Sequence, residues 1–125
     1  MNAVAKRSMP WDGAAVRRWL EARIAAARAD QVSAEKFGRE RQDDCDKAAA
    51  EEMVCAALRS EAATNDQPAF IAVLKALAEH DEYIWRGIYN DARFDRHART
   101  CIRTLMKMAK ANEGFGNLTR YQKDR

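Results

Sequence analysis

His97 and Cys101 stand four residues apart, and on a helix that spacing lets an imidazole and a thiol reach one metal ion. A zinc site needs three or four such ligands, and no Cys-x-x-Cys, His-x-x-x-His or Glu-x-x-His pattern supplies the others. The expected arrangement is therefore a half-buried Cys101 with an exposed His97 at the edge of an apolar face, and neither a metal nor a cofactor is implied. His80, the other histidine, is flanked by Glu79, Asp81 and Glu82. Those are acid–base residue types, but consecutive side chains on a helix point in different directions and do not converge by themselves. The chain has no Gly-rich phosphate loop, no Gly-x-Ser-x-Gly elbow and no His-Glu-x-x-His run. The expectation is a protein that is not an enzyme.

A different chemistry stands out near the C-terminus. Arg96, Arg99, Arg103, Lys107 and Lys110 are spaced three, four, four and three residues apart, with Arg93 one step ahead of them. At about 100° per residue they form one stripe along a helix, roughly opposite Ala98 and Leu105. Asp95 and Glu113 are the carboxylates that fall within or beside that stretch. Like charges at i,i+4 repel, so an ordinary solvated face interleaves acids among its bases. A one-sided cationic stripe fits an anionic partner, and nucleic-acid phosphates are the commonest. An acidic protein surface would serve equally.

The third expectation is internal neutralisation. Residues 1–28 carry a net charge of +4, residues 29–83 carry −7 and residues 84–125 carry +6, giving +3 for the chain. The acidic middle block can thus cover the basic ends, in which case the stripe is structural. Tyr83, Trp85, Tyr89 and Phe94 precede the stripe, and Trp11 and Trp19 lie in the basic N-terminal block. Both sets are expected to be core and helix-corner packing. The sharper alternative is a stacking platform for single-stranded nucleic acid. A helix-turn-helix is not visible: Ala34 and Gly38 suit its first two fixed positions, but Asp44 falls where an apolar residue belongs, and Gly87 fits no better.

The elements that must position these residues are helices. The chain holds 25 Ala against 10 Val and Ile together, and Ala loses no side-chain entropy in a helix whereas β-branched residues do. Five Gly and two Pro allow few tight turns. Val16, Leu20, Ile24 and Ala27 predict a first helix from about Asp12 to Asp30. Residues 31–47 are expected to bend near Gly38, the alternative being one continuous long helix. Asp43 or Asp44 would cap the next helix, which runs to about Ala63 along Ala49, Met53, Ala56 and Ala57. Thr64 to Pro68 is the clearest break, with Asp66 as the following cap. Phe70, Ile71, Leu74 and Leu77 mark the next helix, which either continues through Trp85 and Tyr89 or breaks around His80 to Glu82. Tyr83 to Tyr89 is the one strand candidate and ranks below helix. A turn at Asn90–Asp91 precedes a last helix to about Asn112, with Gly114 as its left-handed stop and Phe115 folding back.

The resulting expectation is an all-α fold: a compact bundle of four to five helices in a single domain over 1–125, with a mobile lead-in at 1–11 and a short flexible tail at 116–125. An Ala-rich core buries little area per residue, so a covering partner, including a second copy of the chain, is expected. Cys45, Cys55 and Cys101 are odd in number and scattered, which favours a reducing compartment over a disulfide framework. Lys6 and Arg7 are followed by Met9, Pro10, Trp11 and Asp12 rather than by an apolar run, so no secretory leader is read. No stretch reads as a membrane span, and the cytoplasm is the expected location. The leading functional expectation is a helical binding protein using the basic last helix against nucleic acid, in a regulatory or accessory role. Its rival is a protein-binding accessory or inhibitor, of the kind phages and mobile elements carry, docking on a larger protein or nucleoprotein complex.

Overall fold

The structure is a computed structural model that describes residues 10–86 and 92–116, with the side chains of residues 80–95 outside that description. Among the described residues there are four α-helices and no strand: α1 (Gly13–Glu35), α2 (Gln42–Thr64), α3 (Gln67–Arg86) and α4 (Ala92–Ala111), with a 3-10 turn at Gly38–Arg41 between the first two. The all-α expectation holds. None of these helices is long and apolar enough to cross a membrane.

Helix α1 begins where Asp12 caps it, its Oδ1 accepting a hydrogen bond from the Ala15 amide at 3.2 Å. The next residue has to be small. A Cβ at Gly13 would collide with the carbonyl oxygen of Ala62, so glycine lets the start of α1 lie directly on the end of α2. Trp11 fastens the same corner, its Nε1 donating to the Asn65 carbonyl at 3.2 Å. From there α1 buries Val16, Leu20, Ile24, Ala27 and Ala34. The helix runs one turn beyond Asp30 because Ala34 continues the apolar stripe across the polar surface between. The bend expected near Gly38 is present, with Gly38 at φ 60°, a left-handed conformation that glycine adopts without strain.

Helix α2 returns antiparallel along α1 and is the main element packed against it. Its start differs from the expected aspartate cap. Arg41 occupies the cap position with no side-chain hydrogen bond, and Asp43 and Asp44 lie in the first turn, where their charge complements the helix dipole. The buried set of α2 is small: Ala48, Ala50, Val54, Cys55, Leu58 and Ala62. Asp66 does cap α3 as expected, its Oδ1 accepting from the Ala69 amide at 3.0 Å. Helix α3 is unbroken through His80 to Glu82, and Tyr83 to Arg86 are helical rather than extended. The remainder of the strand candidate and the Asn90–Asp91 turn fall outside the described residues.

Helix α4 packs against both α2 and α3 and buries Ala98, Ile102, Leu105 and Ala109. Its left-handed stop is Asn112 at φ 54°, two residues earlier than the expected Gly114. The Asn112 amide donates to Ala109 and the Glu113 amide to Met108, at 3.3 and 3.1 Å, the paired bonds of a Schellman ending. Gly114, at φ 94°, then turns the chain again so that Phe115 folds back as expected. Phe115 meets Trp11, Trp19 and Phe70 with ring centroids 5.9, 5.4 and 6.5 Å away. Both N-terminal tryptophans thus belong to the core, partly buried against it. Where the start of α3 meets the end of α4, Gln67 Nε2 donates to the Ala109 carbonyl at 2.7 Å.

Candidate anion-facing surface

The cations of α4 lie where the helical period puts them. Ala98, Ile102, Leu105 and Ala109 are buried on one side, while Arg96, Arg99, Arg103, Lys107 and Lys110 are exposed on the other. Arg93 is in the first turn of α4, and its side chain is outside the description. The exposed five follow one line along about four turns, a span of roughly 20 Å at 1.5 Å rise per residue.

Internal neutralisation of this stripe is partial. Asp43, in the first turn of α2, reaches across to α4, with Oδ1 3.6 Å from an Arg96 nitrogen and 2.9 Å from His97 Nε2. Further along α2, two glutamates are engaged by α1. Glu51 meets Arg23 of α1 at 2.6 Å, and Glu52 meets Arg28 at 2.7 Å while also accepting from Gln31 Nε2 at 2.7 Å. Asp44 pairs with Arg41 at 2.9 Å. The Arg28 hydrogen bond holds the Glu52 carboxyl below its ordinary range, partial burial opposes it, and Gln31 adds to the lowering. On α4, Arg103 donates to Thr100 Oγ1 at 3.3 Å. Among the described residues no carboxylate pairs with Arg103, Lys107 or Lys110.

The other chemistry-bearing residues fall in two places. His97 and Cys101 line a cavity of about 200 Å³ between α2 and α4, together with Cys55, Lys47, Glu51 and Trp19. His97 is less exposed than its sequence context suggests, because Asp43 draws its ring against α2. No group of three or more His, Cys, Asp or Glu side chains among the described residues is placed to hold a metal ion. Around His80 only Glu79 has a described side chain, and it is exposed. The aromatic set Tyr83, Trp85, Tyr89 and Phe94 likewise falls outside the described side chains.

One juxtaposition had no expectation behind it. Cys55 of α2 and Cys101 of α4 line the same cavity. Each sits on the apolar side of its helix in sequence, which is the signal that was present, but their sharing of it depends on how α2 and α4 are aligned. No known protein family matches this chain, and neither a curated protein nor a solved structure is detectably similar to it.

Proposed function

We propose that this chain is a non-enzymatic binding protein that lays the exposed face of α4 along the phosphate backbone of a nucleic acid, in a regulatory or accessory role. The observation that carries the reading is that Arg103, Lys107 and Lys110 lie exposed with no carboxylate partner among the described residues, while Glu51 and Glu52 are engaged by α1. Cations lined up without acids between them repel one another, and a polyanion relieves that repulsion while releasing its counterions. Phosphate contacts of this kind position a protein without reading sequence, so the expected binding tolerates changes of sequence. The test is a gel shift with duplex and single-stranded DNA and RNA across a salt series. With four or five phosphates engaged, affinity for duplex DNA falls with a log–log slope of about −4. Binding that ignores salt overturns the reading.

A second reading has its own observation. Val32 and Phe37, at the end of the α1–α2 hairpin, are 58% and 52% exposed, and Arg41 lies over the Phe37 ring at 5.3 Å. An exposed aromatic beside an arginine suits a protein contact, as a docking accessory or inhibitor would make. A partner retained in a pull-down after nuclease treatment, and lost in Phe37→Ala but not in the α4 variants, favours this alternative.

A further inference from the structure

We propose that α4 selects single-stranded nucleic acid, seating one unpaired base in the notch beside Arg99 and Arg103. The proposal rests on the reading of α4 as a phosphate-facing surface and adds the form of polymer that surface takes.

The notch lies where α4 meets α3, within the cationic stripe. It holds about 130 Å³ and is lined by Ala78 of α3 and by Arg99, Ile102 and Arg103 of α4. Ile102 is buried against the core and gives it an apolar floor, and Ala78 adds a methyl group at the exposed rim. The two arginines are both exposed and stand four residues apart, about one helical turn. Among the described residues that line the notch, none is acidic. An apolar cavity of about 150 Å³ accepts a benzene ring, so an open notch of this size admits one aromatic ring, such as a pyrimidine base.

The kinds of cation along the stripe divide at the same place. Arg96, Arg99 and Arg103 give way to Lys107 and Lys110 toward the C-terminal end. Ammonium and guanidinium groups both meet phosphates, but only the guanidinium also presents a flat face on which a base can stack. Arg103 is held close to α4, because its Nη2 donates to Thr100 Oγ1 at 3.3 Å and that hydroxyl donates to the Arg96 carbonyl at 3.0 Å. A side chain already tethered loses less freedom when a base settles on it. Phosphate recognition alone needs none of this, since lysines on a closed surface would serve.

In a duplex the bases are paired and stacked inside, and drawing one out costs free energy before it can reach the notch. In a single strand the bases are already unpaired, so the notch adds a contact that the duplex does not make. Lys107 and Lys110, one and two turns beyond Arg103, then meet the phosphates that follow.

Fluorescence anisotropy at one salt concentration, with oligothymidylate, oligouridylate and a DNA duplex, each of about 15 nucleotides or base pairs, provides the test. The wild-type chain is expected to bind oligothymidylate at least about fivefold more tightly than the duplex, although the duplex carries the denser charge. Oligouridylate behaves like oligothymidylate, because the base and not the sugar fills the notch. Arg103→Lys keeps the charge and Ala78→Leu fills the notch. Each is expected to lower single-strand affinity by about threefold or more while leaving duplex affinity within about twofold. Unchanged helical circular dichroism shows that both variants are folded. A duplex bound as tightly as the single strands overturns the proposal and leaves the phosphate-facing reading standing. So does a single-strand preference that survives both variants, or an equal loss on both polymers. Absence of binding to all three probes overturns both.

Discussion

The α1–α2 hairpin, with nine Lys and Arg residues, and helix α4, with six, dispose of their cations in opposite ways. In the hairpin, Arg23 and Arg28 point across to Glu51 and Glu52, and the interface uses charge to hold two Ala-rich helices in register. On α4 the cations share one face, the core side chains share the other, and Glu51 and Glu52 of the neighbouring helix are engaged by α1. Asp43 illustrates what fuller neutralisation would look like, gathering Arg96 and His97 at one end of α2. The difference teaches that a block of net charge does not reveal its partner. Among the described ion pairs, Glu51 and Glu52 of the −7 middle block go to the first helix and Asp43 to the last, although the last is the more strongly basic.

Charge reversal separates the two regions most sharply. Replacing Arg99, Arg103 and Lys107 by Glu is expected to weaken nucleic-acid binding by more than about 100-fold, since each lost phosphate contact removes part of the counterion-release term and each new carboxylate repels. Arg28→Gln, which removes a cation already engaged by Glu52, leaves binding within about threefold. Fluorescence anisotropy at fixed salt measures both. Equal losses in the two variants would show that total charge, and not the α4 face, governs association.

A smaller effect runs in the other direction, on stability. The Arg23 and Glu51 side chains are 18% and 28% exposed, so removing one partner leaves the other part-buried without its charge-assisted bond. Arg23→Met is expected to cost about 1–2 kcal/mol in urea unfolding. Lys107→Met, on the open face, changes stability by less than about 0.5 kcal/mol. Similar losses at the two positions would mean that Lys107 has a structural partner after all, and the contrast between the regions would collapse.

These contrasts also mark how far the sequence could be read. Helix positions followed from local chemistry: Val16, Leu20 and Ile24 at helical spacing, Asp66 before Pro68, and Gly38 at the bend. The stripe was legible for the same reason, since one helix fixes the relative directions of Arg96 to Lys110. What depended on alignment between helices was not. Nothing near Cys55 in sequence announces Cys101, and nothing near Glu52 announces Arg28, because both juxtapositions are set by packing of α2 against its neighbours. Two local readings also gave way to competing geometry. Asn112 took the left-handed stop ahead of Gly114, as asparagine tolerates that region, and Arg41 rather than an aspartate preceded α2 because the 3-10 turn delivers the chain straight into the helix.

The weakest expected effect concerns pH, and it probes one pair within the hairpin. Glu52 is held below the ordinary carboxylate range chiefly by its hydrogen bond with Arg28. A lowered folded-state value means that the unfolded chain takes up the proton first on acidification. The pair's contribution is therefore complete above the unfolded value of about 4.3 and disappears as pH falls through the lower, folded one. Arg28 is 63% exposed, so solvent and salt screen the attraction and the contribution is small. Thermal melts between about pH 6 and pH 3 should fall less steeply in Glu52→Gln than in the wild type, the two curves converging at the acid end where wild-type Glu52 is itself protonated. Raising the salt concentration should narrow the gap at pH 6. Curves that stay parallel down to the acid end would show that Glu52 contributes through packing and its Gln31 contact, leaving Arg23–Glu51 as the charge pair that holds the hairpin.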